Sequence, residues 1–593
     1  MNLWMGFKKF RGFKGFRGLV LFAALALACG ERQPQSVAAR PSPTTILSIV
    51  GTNDLHGGIL QRGDRGGLAL LGGYVANLRA ARARDGGAVL LVDAGDMFQG
   101  TLESNLNEGA AVIAAYNALG YAAAAVGNHD FDFGPVGRAS TPQQPSDDAQ
   151  GALKARAAEA RFPFLAANLI DEATGRPVEW RNVSPSTTVT VDGVRVGIIG
   201  VITANARAVT IAANLAGLRF APLAETIAAE AKRLRADGAS LVVVTSHAGG
   251  RCTAYTSPTD LSTCEPNEEI MRVARELPSG LVDVIVAGHA HSGMAHQVAG
   301  IAIIESFNGG RTFGRVDLVV DRSTRRIVEK RIFAPRDLCA RVDPGTTRCD
   351  PDGSSSGRVR AEYENAPVVP DAAIARTIAP AVQAAEAQKK MPLGITLGTP
   401  VRRAGAPDSP LGNLFTDAYR AAVPGADVSI NNTSGGLRAD LPPGSLTYGA
   451  VFEAMPFDNR LVAFHLTGAE LRTVLATQIS RVPALVGVSG LHLRVTCERG
   501  AVNVGMLRPN GTPVTDTDRL LVATTDFLAT GGDNIFVPVT PPGGFAIEQD
   551  IALVRDVVVD SLRKRGGTLR EDQLVDPSNP RWTLPGRPPI TCR

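Results

Sequence analysis

The chain has 593 residues, 44% of them hydrophobic and 20% charged, with a formal net charge of +4. That length exceeds what one hydrophobic core supports, so two or more domains are expected, and the composition excludes a disordered or fibrous chain. Lys8, Lys9, Arg11, Lys14 and Arg17 all fall within the first 28 residues, which hold no acid. The rest is near neutral, so no bulk attraction to nucleic acid is expected.

In chain order, the basic start is followed by an apolar run from Leu19 to Ala28 and then Cys29. This reads as a secretory signal over 1–28, too short to span a bilayer. Its end, Leu27-Ala28-Cys29, resembles a bacterial lipoprotein signal. That implies acylation of Cys29, a lipid anchor to the membrane, and a periplasmic or outer-membrane, cell-surface location; ordinary cleavage nearby is the alternative. Residues 29–44 are polar and read as a tether, and no later run is long enough to cross a membrane.

From Ile46, short β-branched runs alternate with Ala-rich amphipathic stretches. Strands are expected at Ile46–Val50, Val89–Asp93, Ala123–Val126, Phe164–Ala167, Val194–Val201, Leu241–Thr245 and Val282–Ala287. Helices are expected at Gly73–Arg84, Ala110–Leu119, Leu223–Ala236 and Glu268–Leu277. Near-continuous apolar strands separated by helices indicate an α/β architecture with a sheet covered on both faces. Pro135–Gly151 and Arg251–Pro266 read as insertions. From Ala340 to about Pro370 the chain is rich in Pro, Gly and Ser and reads as an interdomain connection. A charged helix from Ala372 to Lys390 and a second α+β segment complete it.

Apart from Cys29, six cysteines cluster as Cys252 with Cys264, Cys339 with Cys349, and Cys497 with Cys592. In an exported chain disulfides are the default. The expected set is the two local bridges plus a tie from Cys497 to the C-terminal tail, other pairings being open. No CxxC spacing occurs, which argues against a thiolate metal site.

Histidine is scarce, with eight in the chain. Five fall in Asp54-Leu55-His56, Gly127-Asn128-His129-Asp130-Phe131-Asp132, Ser246-His247 and Gly288-His289-Ala290-His291. With Gly95-Asp96, these segments place polar residues at the carboxyl ends of five expected strands, where open α/β sheets put their ligand crevice. Oxygen and imidazole donors without thiolate suit a hydrolytic metal centre. Two divalent ions roughly 3.5–4 Å apart share a water and lower its pKa. Asp96 suits the bridging carboxylate and Asn128 a neutral ligand, and Gly95, Gly127 and Gly288 are expected to let the backbone turn sharply into the cleft.

This series resembles the calcineurin-like metallophosphoesterases, and among them the two-domain 5′-nucleotidases and UDP-sugar hydrolases. The resemblance implies a four-layer α/β/β/α domain at 45–339, a linker and connecting helix at 340–390, and an α+β nucleotide-specificity domain at 391–593. It also implies two divalent cations, Zn, Mn or similar. One would be held by Asp54, His56, Asp96 and His291, the other by Asp96, Asn128, His247 and His289. His129 resembles the family's non-ligand catalytic histidine and Asp132 the carboxylate that orients it, with hydroxide on the ions as the expected attacker.

In the second half, Pro456-Phe457-Asp458-Asn459 resembles the Pro-Phe-x-Asn element. Phe527-Leu528-Ala529-Thr530-Gly531-Gly532-Asp533 resembles Phe-x-x-x-Gly-Gly-Asp. By that resemblance Phe457 and Phe527 stack a base, with Asn459 in the same element, and Asp533 binds ribose hydroxyls. Thr433-Ser434-Gly435-Gly436-Leu437-Arg438 matches Asn-x-Gly-Gly-x-Arg except that Thr433 stands at the Asn position and Asn432 precedes it. Arg438 and Arg403 are the expected phosphate ligands. The implied activity is 5′-nucleotide hydrolysis on a small-molecule nucleotide, not a nucleic acid. UDP-sugar or 2′,3′-cyclic nucleotide hydrolysis, a thiosulfohydrolase-like reaction, and an inactive nucleotide- or metal-binding surface protein are the alternatives.

Overall fold

The computed structural model describes residues 42–137, 139–349, 356–403, 408–433, 435–481, 486–542 and 544–592. The expected signal segment, Cys29, most of the tether, and residues 350–355 of the expected connection lie outside them. Among the described residues no helix is long and apolar enough to cross a membrane.

All seven strands and four helices expected in the first half form, with ends shifted by a few residues. The strands do not share one sheet. A seven-stranded sheet runs in the order Ile327–Asp337, Thr312–Asp321, Thr44–Thr52, Ala88–Asp93, Ala123–Ala125, Phe164–Leu165, Val183–Ser184. A six-stranded sheet runs Gly293–Val298, Ile301–Ser306, Val284–Ala287, Leu241–His247, Val194–Ile202, Ser186–Val191. The two sheets share an apolar layer that includes Leu47, Ile49, Val92, Val196, Ile198, Val243 and Val286. On the outer face of the first sheet, Leu71, Tyr74, Val112 and Tyr116 from the helices Leu68–Asp85 and Ala110–Leu119 form a second core. Leu223, Ile227, Leu234 and Ile270 do the same for the second sheet. The result is the four-layer α/β/β/α arrangement. A strand sandwiched between a sheet and a helix layer is apolar on both faces, just like a strand between two helix layers, so periodicity does not separate the two cases.

The described part of the expected connection is packed rather than free. Cys339, Val342, Cys349, Ala361 and Val368 are buried in the first domain's core. The helix Ala372–Lys389 then spans both halves: Ile374 and Ile378 sit in that core, and Ala385 in a core of the second half.

The second half centres on a five-stranded sheet, Val486–Ser489, Val428–Asn432, Arg519–Thr525, Arg460–Thr467, Gln549–Leu553, with a separate apolar core on each side. Disulfides join Cys252 to Cys264, Cys339 to Cys349, and Cys497 to Cys592.

Candidate active site

The five ligand-bearing strands come from both sheets. Thr44–Thr52, Ala88–Asp93 and Ala123–Ala125 belong to the first, Leu241–His247 and Val284–Ala287 to the second. Their carboxyl ends converge where the sheets meet. Past the first two strands the pairing continues into the loops, with Asp54 N donating to Gly95 O at 2.9 Å and His56 N to Asp96 O at 2.9 Å.

Asp54, His56, Asp96, His289 and His291 all adopt left-handed backbone, with φ of 48°, 47°, 57°, 76° and 53°. Side chains other than glycine rarely do so, at a cost on the order of 1–3 kcal/mol each, and such strain clusters at functional sites. Of the three glycines, Gly95 alone serves the turn, at φ 92°. Gly127 and Gly288 serve space instead. A Cβ at Gly127 would stand 2.2 Å from Asp96 Oδ1, and one at Gly288 would stand 3.0 Å from Asp54 Oδ2.

The donor atoms fall into two sets that share Asp96. One is Asp54, His56, Asp96 and His291; the other is Asp96, His247 and His289, each with its atoms within 4.8 Å of one another. Asn128 joins the second set through Oδ1, 3.0 Å from His247 Nε2. Its Nδ2 donates to Val209 O at 3.1 Å, which turns the oxygen inward. His56 Nδ1 bonds Gln99 O and His247 Nδ1 bonds Ala94 O, each at 2.8 Å. Their Nε2 atoms therefore face the centre. His56 Nε2 stands 2.9 Å from His291 Nε2, and His247 Nε2 stands 3.2 Å from Asp96 Oδ2. Buried lone pairs held that close need a proton or a cation between them, and carbonyl partners on the outer nitrogens are the usual support of metal-binding imidazoles. The residues fit divalent ions.

Supporting residues that sequence reading passed over are clear in three dimensions. The Asp130 carboxylate accepts from Gly127 N, Met97 N and Asp96 N at 2.8, 2.8 and 3.2 Å, pinning the Asp96 loop. Asn53 Nδ2 donates to Asp54 Oδ2 and to Phe307 O, both at 2.6 Å, and its Oδ1 accepts from Ser306, tying the sheets together behind the site. Asn53 adjoins the expected ligand Asp54, and Asp130 lies within the Asn128–Asp132 segment beside His129, which is the signal the sequence held.

Burial, opposed in part by Asp96, takes His56 down to about 4, and burial with the charge of His247 does the same to His289. Both are neutral donors. His247 and His129 behave oppositely. Burial would lower each, but Asp96, with Asp54, pushes His247 up to about 10, and Asp132 with Asp96 pushes His129 up to about 9. His129 Nδ1 lies 2.7 Å from Asp132 Oδ2, and His129 N donates to Asp96 Oδ1 at 2.8 Å.

A cavity of about 210 Å³ opens from these groups. Asp96, Asn128, His129, Asp132, His289 and His291 line one side. Arg438, Phe457, Asn459, Phe527 and Asp533 line the other. The Phe457 ring lies 6.1 Å from the His129 ring, and the Arg438 guanidinium stands 5.1 Å from the Phe457 ring centre. Phe527 packs over Gly532, where a Cβ would come within 2.5 Å of its ring. Arg403 is not among the lining residues; its guanidinium bonds Leu437 O at 3.2 Å. Asn432, not Thr433, lines the cavity, and its Nδ2 donates to Asp533 Oδ2 at 2.5 Å. The motif's amide is present one residue early, at the end of the strand Val428–Asn432.

A family model described as calcineurin-like phosphoesterase matches residues 47–293, and one described as 5′-nucleotidase, C-terminal domain, matches 384–540. Endonuclease YhcR of Bacillus subtilis is 27% identical over 543 residues, 87% of this chain but 39% of that protein, so the chain spans about two fifths of that relative. Cell wall protein Lmo0130 of Listeria monocytogenes is 26% identical, covering 87% of this chain and 67% of that one. The 5′-nucleotidase precursor of Thermus thermophilus superposes with a TM-score of 0.63 at 25% identity, over 88% of this chain and 97% of that one. The fold and donor set are those of the metal-dependent phosphoester hydrolases. Within that class, the chain belongs to the two-domain family that joins a calcineurin-like phosphoesterase to a 5′-nucleotidase C-terminal domain.

Proposed function

We propose that the chain is an exported, dimetal-dependent 5′-nucleotidase that converts nucleoside 5′-monophosphates to nucleoside and phosphate. One observation carries this reading: a single cavity has the candidate metal donors and His129 on one wall and Arg438, Phe457, Phe527 and Asp533 on the other. The near-neutral body of the chain is in keeping with a small-molecule nucleotide rather than a nucleic acid.

Two divalent ions held by Asp54, His56, Asp96 and His291, and by Asp96, Asn128, His247 and His289, would polarise the phosphoryl group and lower the pKa of a shared water to about 7. Zinc or manganese suits these donors. The chain's own groups do the rest. His129, kept protonated by Asp132, stabilises charge on the phosphoryl oxygens or gives its proton to the leaving oxygen. Arg438 grips phosphate, with Arg403 adding positive charge beside it. Phe457 and Phe527 take the base and Asn459 meets its edge. Asp533, with one oxygen committed to Asn432, accepts from the ribose through the other.

The functional boundaries are 45–339 for the metal domain, 340–390 for the connection and helix, whose described residues before 371 pack against the metal domain, and 391–593 for the specificity domain. Export, with a lipid at Cys29 and a periplasmic or cell-surface location, rests on the N-terminal sequence and on the cell-wall and precursor names among the relatives. Mass analysis of the mature N-terminus tests it, an unacylated end removing the anchor.

The substrate is tested by assaying protein purified without chelator on AMP, UDP-glucose, 2′,3′-cyclic AMP and an aryl phosphate, with metal content measured in parallel. AMP turnover with about two ions per chain is expected. Aryl phosphate hydrolysis without AMP hydrolysis removes the nucleotide assignment. A metal-loaded protein inert to all four is a binding protein.

A further inference from the structure

Gln99 contacts both domains beside the cavity without lining it. It follows Asp96 by three residues and is 2% exposed. Its main-chain oxygen accepts from His56 Nδ1 at 2.8 Å, orienting that candidate ligand. Its side-chain Nε2 crosses to the other domain and donates to Pro456 O at 2.8 Å. The next residue is Phe457, which stands against His129 and beneath Arg438.

The surroundings make this bond specific. Asn105 Nδ2 donates to the same Pro456 oxygen at 3.3 Å, while its Oδ1 accepts from Gly100 N at 3.0 Å, so the 99–105 turn presents two amide donors to one carbonyl. The flanking carbonyls of Met455 and Phe457 are held from within the second domain by Arg555, a nearly buried guanidinium that also pairs with Asp458. Three consecutive carbonyls thus have fixed partners, and the middle one alone is served by the metal domain. Loss of the Gln99 side chain takes the shorter of two donors from the Pro456 carbonyl and leaves it only the longer Asn105 bond, which gives the contact its energetic weight.

We infer that Gln99 is a positioning residue that couples the metal centre to substrate selection, its main chain setting His56 and its side chain setting Phe457 over His129. This rests on the nucleotidase reading for the substrate named, not for the coupling itself. A small aryl phosphate that meets only the metal centre is indifferent to the Gln99 side chain, whereas a ligand that must reach Phe457 is not.

The test is Gln99→Leu, with Gln99→Met as a second variant of similar volume, each compared with wild type in the full-length, metal-loaded protein. For AMP, kcat/KM is expected to fall about tenfold or more, chiefly through KM, as follows when one buried hydrogen bond is lost from a binding loop. For the aryl phosphate the fall is expected to stay below about twofold at unchanged metal content. Hydrogen exchange is expected to quicken across 452–460 in both variants. If wild type ignores AMP, the nucleotidase reading falls and the exchange measurement decides for Gln99. Unchanged exchange, or equal loss on both substrates, overturns the coupling.

Discussion

His129 is held on two sides by carboxylate. Asp132 receives its Nδ1 and Asp96 receives its main-chain N–H, and the pair of charges outweighs the burial that would neutralise the ring. A partly exposed imidazole on the cavity wall, kept protonated near neutrality, is suited to giving up a proton rather than binding an ion. His129→Ala is therefore expected to keep its metal content and to lose about 10²–10⁴-fold in kcat; unchanged kcat removes the residue from the reaction. The same pairing makes a stability prediction for chelator-treated protein. The folded pKa of about 9 lies above the ordinary 6.5, so the His129 charge stabilises the fold fully below about pH 6.5, and that contribution fades as pH rises through about 9. The stability gap between wild type and His129→Gln should narrow over that interval in urea titrations, and a constant gap contradicts the assignment.

Strands and helices supply positions, and their ends supply chemistry. Each ligand-bearing loop leaves a strand whose faces are both packed, so the strained φ values of Asp54, His56, Asp96, His289 and His291 are set by rigid supports on either side. The connecting helix Ala372–Lys389 begins at Asp371, whose carboxylate accepts from Ala373 N and Ile374 N. Removing that cap with Asp371→Ala is expected to cost about 1 kcal/mol, measured by thermal or urea unfolding. At its other end Lys389 pairs with the buried Glu103 at 2.7 Å, so both ends of the helix are fastened to neighbouring structure. The Cys497–Cys592 bridge closes a separation of 95 residues and anchors the C-terminal tail. Replacing both cysteines by serine is expected to cost about 4.7 kcal/mol on the chain-entropy model, far more than a surface substitution. A loss under about 1 kcal/mol would mean the tail is held by packing alone.

On the scale of the molecule, the cavity is a property of two domains in contact, since neither wall alone encloses it. Divalent ions that bind the folded site and not the unfolded chain add stability by mass action, about 4 kcal/mol at about a thousandfold excess of free ion over Kd. Chelation should accordingly lower both Tm and turnover, and returning zinc or manganese should restore them together. The charge state sets a further signature. His247 sits at about 10 beside Asp96, so an ion taking its Nε2 must displace a proton. Loading at pH 8 in weak buffer is expected to release acid, and loading without acidification would place His247 outside the ligand set.

By itself the sequence determined the periodic elements of the first half, the partition into two domains, and the grouping of Asp, Asn and His at strand ends. Those features are local: a strand's apolar run and a loop's polar tip are written in adjacent residues. It also carried the site motifs of the second half. Only the tertiary structure decided that the strands divide between two sheets, that the described residues of the 340–370 stretch pack as part of the first domain, that Gly127 and Gly288 provide room rather than a turn, and that Asn432 lines the cavity while Arg403 does not. Each of those depends on what lies across a packed interface, where residues far apart in the chain meet. The hydrophobic effect that drives such packing is non-directional, so composition records that surface is buried but not against which partner.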